Sequence, residues 1–86
     1  MNSSTTSRFR EAFAVLPAEV QDRVRKAYRL WRKNPQHPSL HFKKVGKVWS
    51  ARIDNRHRAL AHVVGDTVFW FWVGPHDEYE RMIRDR

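Results

Sequence analysis

The chain has 86 residues, 41% of them hydrophobic, no cysteine and a formal net charge of +8. This length predicts a single domain over residues 1–86. The composition excludes disulfides, thiolate metal sites, a membrane span and a signal peptide, so we expect a cytoplasmic protein with no membrane partner. Twelve of the 17 Lys and Arg residues fall between Arg23 and Arg58 beside one acid, Asp54, which gives this block a net charge of +11. Such concentrated charge indicates a polyanionic partner, first of all nucleic acid, and the alternative is a helix face kept basic for solubility.

Two helices are predicted in the N-terminal half of the chain. Residues 5–9 fit either a short edge strand or the approach to a helix. The first helix covers residues 8–16, in which apolar side chains recur at helical spacing, and Pro17 both ends it and begins the second helix. Asn34-Pro35 ends the second helix. Its apolar stripe consists of Val20, Val24, Ala27, Tyr28 and Trp31.

The second half of the chain has the apolar alternation of β-strands. We expect Gly74-Pro75 to break the last strand and a short helix to follow over residues 77–83. The last strand is apolar on both faces, which predicts a central position in the sheet. The predicted strands cover residues 40–45, 48–53, 58–64 and 67–73.

This order of elements predicts an α+β fold. Two N-terminal helices pack on an antiparallel sheet of three to four main strands, and a short N-terminal strand and a short C-terminal helix are optional additions. We expect the four Trp residues to pack in the interface between the helices and the sheet rather than to stack on bases.

Five short sequence motifs, taken in their order and spacing, indicate a relationship to known proteins. They are TTSRFR at 5–10, NPQHPSL at 34–40, WSARI at 49–53, RHRAL at 56–60 and FWFWVGPHDEY at 69–79. Together they resemble the RelE/ParE toxin superfamily over nearly the whole chain. In that family a short N-terminal strand joins the sheet, which favours a strand at Thr5-Thr6.

The resemblance implies the toxin of a type II toxin–antitoxin system, with a cognate antitoxin as partner. RelE-like members enter the ribosomal A site and cut mRNA there, with no metal and no small-molecule cofactor. ParE-like members instead bind and inhibit DNA gyrase. We therefore expect a ribosome-dependent endoribonuclease that inhibits translation, and we keep open a gyrase inhibitor or a non-catalytic RNA-binding or ribosome-binding protein.

Cleavage of RNA without a metal needs a base for the ribose 2′-hydroxyl, an acid for the leaving 5′-oxygen and cations for the phosphate. By the resemblance, Arg58 stands where RelE-like toxins carry a phosphate-binding arginine. His76 stands where they place a general acid or a phosphate contact. Tyr79 corresponds to a C-terminal tyrosine that stacks on or positions the substrate, and the alternative is that it packs on the sheet.

Further basic residues are candidates for the remaining roles. Alternation along the predicted strand puts His41 and Lys43 on one face, where either is the candidate base or second cation, and puts Lys44 on the other. Arg52 shares a face with Ser50 and extends the path for phosphates. The predicted RNA-binding residues are Lys44, Arg52, Arg25, Arg29 and Arg32.

No metal site is predicted. His37 and His41 have the i, i+4 spacing of ligands on a helix, but Pro38 between them argues against a helix there. The acidic residues of segment 77–80 have a simpler explanation, since acids are favoured in the first turn of a helix.

Overall fold

The change of apolar spacing between the two halves of the chain produces a helical layer and a sheet. The structure is a computed structural model, and it describes residues 1–84. The α-helices of this part are α1 (Ser7–Ala14), α2 (Ala18–Lys33) and α3 (His76–Arg84). The strands are β1 (Asn2–Thr5), β2 (Lys43–Val45), β3 (Val48–Arg52), β4 (His57–Val64) and β5 (Thr67–Pro75). None of the described helices has the length and apolar character that a membrane crossing requires.

The strands form one five-stranded sheet in the order β1-β5-β4-β3-β2. β1 runs parallel to β5 and the other pairs are antiparallel, so the sheet is mixed rather than purely antiparallel. The N-terminal strand exists, but it ends at Thr5. Thr6 instead caps α1, because its side-chain oxygen accepts a hydrogen bond from the Phe9 backbone N–H at 3.2 Å.

Both faces of the sheet are covered, and each has its own apolar core. On one face α2 buries Val20, Val24 and Trp31, and the Trp31 ring meets Trp70 of β5 edge-on, with the ring centroids 5.3 Å apart. On the other face α3 packs Tyr79 into a second cluster with Val48, Leu60, Phe71 and Trp72. The helical layer on one side was predicted, and the C-terminal helix adds a third layer.

The strand predicted over residues 40–45 is wrong in its first half. Pro38–Leu40 forms a 3-10 turn, whose backbone is held by His37 Nδ1 accepting from the Ser39 N–H at 3.2 Å. His41 then adopts a left-handed conformation with φ of 44°, which no strand residue has. Only Lys43–Val45 pairs as a strand, so alternation within one strand does not relate His41 to Lys43.

The last strand continues through Gly74-Pro75 and does not break there. Its register against β4 shifts between Leu60 and Ala61, which pair with Trp72 and Trp70, so Phe71 is an extra residue. This bulge turns both Phe71 and Trp72 toward the α3 side, which explains the apolar run. Pro75 is tolerated because β1 pairs with β5 only as far as Trp70.

A substitution at Gly74 tests the packing under α3. A Cβ at this position would come within 2.6 Å of Cζ2 of Trp72. We expect Gly74→Ala to lower the free energy of unfolding by about 1–3 kcal/mol through overpacking, measured by urea denaturation. In a Trp72→Phe background the shorter ring lacks the clashing atoms, so the added cost of Gly74→Ala should be smaller. An equal cost in both backgrounds would show that Trp72 is not the obstacle.

Candidate functional site

A concave pocket of about 190 Å³ lies on the α3 side of the sheet, where three strands and a helix end meet. It brings together all five residues predicted to be catalytic, together with one of the predicted RNA-binding arginines. The residues that line it are His41, Lys43, Ser50, Arg52, Arg58, His76 and Tyr79.

Strand register explains why these residues converge. Ser50 and Arg52 are two positions apart on β3 and therefore share a face. Lys43 of β2 pairs with Ser50, and Arg58 of β4 pairs with Arg52, so both neighbours add cationic side chains to the same face. α3 begins immediately where β5 ends, which puts its first residue, His76, at the same end of the sheet.

The Arg58 guanidinium is held by main-chain oxygens rather than by a carboxylate. Its Nη1 donates to the carbonyl oxygens of Asp54, at 2.5 Å, and of His57, at 2.9 Å. No other acceptor within residues 1–84 engages this guanidinium. Partial burial lowers the pKa of Arg58, the charge of Arg52 lowers it further, and Tyr79 and Asp54 act in the opposite direction. A guanidinium stays protonated at neutral pH all the same, so the pocket holds a cation whose unused donors suit an anion.

His76 is oriented by one contact with the β3–β4 turn and one within α3. Its backbone N–H donates to the Arg56 carbonyl at 2.6 Å, which fixes the start of α3 against the β3–β4 turn. Its Nδ1 lies 3.5 Å from a carboxylate oxygen of Glu80, one helical turn later. The side chain is 34% exposed. Nε2 is therefore the ring nitrogen that remains for a ligand, and an imidazole can give or take a proton near neutral pH.

Tyr79 serves the pocket and the core together. Only 7% of the residue is exposed, and its ring packs with Val48, Leu60 and Trp72. The ring centroid lies 5.5 Å from that of His76. This burial agrees with the alternative that Tyr79 packs on the sheet, and its position in the pocket wall also leaves it close to any ligand of His76.

Other predicted residues lie elsewhere. Lys44 pairs with Trp49 and so points to the opposite face of the sheet from Lys43. The basic residues of α2 also belong to that opposite layer. Arg25 forms an ion pair with Asp22 at 3.0 Å, Arg32 lies over the Tyr28 ring, and Arg29 is exposed. Arg25, Arg29 and Arg32 therefore form a separate basic surface and do not line the pocket.

Sequence reasoning overlooked the polar residues that hold the pocket in place. Glu80 stands four residues after His76 in a helix, and this spacing alone predicts the contact. Asn55 accepts a hydrogen bond from Arg52 through its side-chain oxygen. Asp54 accepts from the Arg56 N–H at 2.8 Å and lies 2.9 Å from His57 Nδ1. No comparable spacing rule relates the turn residues to their partners.

Within residues 1–84, no three His, Asp or Glu side chains form a group that could hold a metal.

The Asp54 carboxylate makes stability depend on pH. Burial acts to raise the pKa of Asp54, but hydrogen bonds from His57, the Arg56 backbone and Arg23 outweigh it and leave the pKa below its ordinary value. A lowered pKa means that the ionised form stabilises the fold above about pH 4, and that this contribution disappears as the pH falls through the native-state value.

We therefore expect Asp54→Asn to be less stable than wild type at pH 7 and closer to wild type at pH 3. The measurement is the free energy of urea unfolding at the two pH values. Asp66→Asn, in the β4–β5 turn, is the control and should show no such convergence. A constant difference between Asp54→Asn and wild type would refute the linkage.

Comparisons with known proteins place this architecture. No family model and no curated protein matches the sequence. Solved structures do match. The RelB–RelE antitoxin–toxin complex from Methanococcus jannaschii has a TM-score of 0.71 at 15% identity and covers 91% of this chain and 95% of that chain. The YoeB/ParE toxin from Agrobacterium tumefaciens has a TM-score of 0.69 at 16% identity and covers 88% and 99%. The toxin–antitoxin complex RelBE2 from Mycobacterium tuberculosis has a TM-score of 0.66 at 19% identity and covers 87% and 96%. The fold of this chain is therefore that of the RelE/ParE toxins, as the resemblance in its sequence predicted.

Proposed function

We propose that this protein is the toxin of a type II toxin–antitoxin system and that it cuts mRNA on the ribosome. The observation that carries the proposal is the convergence of Arg52, Arg58 and His76 in one pocket. Two guanidinium groups and an imidazole supply the charge stabilisation and the proton transfer that metal-independent cleavage of a phosphodiester needs. Structural neighbours described as toxins or as antitoxin–toxin complexes support the same assignment.

In the proposed reaction the ribose 2′-oxygen bonds to phosphorus while the bond from phosphorus to the 5′-oxygen breaks. The 2′-hydroxyl gives its proton to His41 or to the neutral form of Lys43, both of which are exposed at the pocket. Arg58 and Arg52 stabilise the negative charge that develops on the phosphate oxygens. His76 gives a proton to the leaving 5′-oxygen, so the products are a 2′,3′-cyclic phosphate and a 5′-hydroxyl.

Glu80 has a supporting part in this mechanism. Its carboxylate lies beside Nδ1 of His76 and so favours a ring orientation in which Nε2 faces the substrate. Tyr79 forms the adjoining wall, where its buried ring cannot move away from the ligand. The substrate would thus meet an imidazole whose position is already set by α3.

The basic surface of α2 has a different proposed role. Arg25, Arg29 and Arg32 lie on the other side of the sheet from the pocket, so they cannot contact the same phosphodiester. We assign them, with Lys44, to the phosphate backbone of ribosomal RNA, where contacts depend on charge and not on sequence. An acidic antitoxin segment would complement the same charge, and complexes of this fold with antitoxins support such a partner.

The test is cleavage of mRNA on programmed ribosomes. We expect His76→Ala and Arg58→Ala each to lower the cleavage rate by about 10²–10⁴-fold, because the first removes the proposed general acid and the second removes a cation that stabilises the phosphate. His62→Ala and Arg56→Ala are matched controls, since both residues are exposed on or next to β4 and neither lines the pocket. The controls should retain cleavage, and all four variants should show the far-ultraviolet circular dichroism of wild type.

Growth arrest in cells separates the proposal from its alternatives. If His76→Ala and Arg58→Ala both remain fully toxic, the protein is not a nuclease. Inhibition of supercoiling by purified gyrase would then identify a ParE-like inhibitor. Loss of toxicity only on charge reversal at Arg25, Arg29 and Arg32 would identify a non-catalytic RNA-binding protein, with binding that weakens steeply as salt rises.

A further inference from the structure

A second groove, of about 570 Å³, lies between α2 and the β3–β4 turn. Cationic side chains stand around it and apolar side chains form its inner surface. The cations are Arg23, Lys26 and Arg52, and the apolar residues are Ala27, Leu30, Leu40 and Ile53. We call this the turn groove.

The turn groove adjoins the candidate active site. Arg52 lines both the turn groove and the pocket that holds Arg58 and His76. A ligand that extends beyond the pocket past Arg52 would therefore approach the other residues of the groove. Arg52 is the last residue of β3 and pairs with Arg58 of β4, so the residue that the two cavities share stands at the end of this strand.

The charges of the turn groove leave two cations available. Asp54 is its one acid among the lining residues, and that carboxylate is engaged by Arg23 at 3.3 Å as well as by His57 and the Arg56 N–H. Lys26 forms no ion pair with any residue of the described chain, and Arg52 donates only to the neutral side chain of Asn55. The groove thus offers two unpaired positive charges next to an apolar surface.

We propose that the turn groove binds the nucleotide that flanks the scissile phosphate. Its volume holds one nucleotide, its apolar residues suit a base or ribose face, and Lys26 with Arg52 suits the next phosphate along the strand. This inference rests on the proposed function, because it assumes that the pocket takes an RNA phosphodiester. It adds a residue, Lys26, that composition alone assigns to the general basic surface of α2.

The experiment compares two uncleavable RNA analogues, a 2′-O-methyl dinucleotide with one phosphate and a 2′-O-methyl tetranucleotide with three. Binding to the full chain is followed by nuclear magnetic resonance at low salt, with the Asn55 side-chain amide and the Lys26 backbone amide as reporters. We expect the dinucleotide to shift signals of the pocket, and the tetranucleotide to shift both reporters as well. The tetranucleotide should bind about tenfold more tightly, on the order of one additional charge-assisted contact.

Lys26→Gln should remove most of this tenfold gain and leave dinucleotide binding unchanged. Lys33→Gln is the control, because Lys33 lies on the same helix, is exposed, lines neither cavity and has no proposed part in RNA binding. Equal loss with both variants, or a tetranucleotide that leaves the two reporters unshifted, would overturn the groove assignment. If the tetranucleotide shifts the reporters while programmed ribosomes show no cleavage, the groove binds RNA and only the proposed nuclease activity fails. If neither analogue shifts any signal at millimolar concentration, the turn groove is not an RNA site.

Discussion

Two arginines face each other across neighbouring strands, and the arrangement of the polar groups around the pocket depends on this pair. Arg52 of β3 and Arg58 of β4 are register partners on one face of the sheet. Like charges directly opposite each other destabilise a sheet. No carboxylate of the described chain forms an ion pair with Arg58, whose Nη1 instead donates to two carbonyl oxygens, and the charge of Asp54 offsets the repulsion only in part. The fold thus retains a repulsion between two cations in the pocket, and a bound anionic ligand is the simplest way to offset it.

Apolar packing on both sides of the sheet offsets this repulsion in a chain of 86 residues. The Trp31–Trp70 contact anchors α2 to one face, and Tyr79 anchors α3 to the other with Leu60 and Val48. Large aromatic side chains bury much area each, which lets a small domain build two cores. Because Tyr79 belongs to the second core and also lines the pocket, the packing that stabilises α3 positions the site as well.

The β3–β4 turn connects the layers. Asp54 contacts Arg23 of α2, His57 of β4 and the backbone of Arg56, while its own carbonyl oxygen holds Arg58. The carbonyl of Arg56 in turn receives the N–H of His76 at the start of α3. A turn of a few residues therefore links the basic helix on one face with the arginine and the histidine on the other, and it forms one wall of the turn groove.

The sequence by itself determined the elements and most of the residues of the site. Helical and alternating apolar spacing is a local property, so the two helices, the strands after Val48 and the burial of tryptophans such as Trp31 could be predicted. The resemblance to a toxin family supplied Arg58 and His76, which the structure brings into one pocket. The left-handed backbone at His41 and the bulge at Phe71 arise from a 3-10 turn and from strand register, and no local spacing encodes either of them. Three features were decided by the tertiary structure alone. Arg25 and its neighbours on α2 lie on the opposite face of the sheet from the pocket, Arg52 lines two cavities, and Asp54 contacts residues of both layers. Each of these depends on which face of the sheet a residue occupies once distant segments pair, and that is a property of the whole fold.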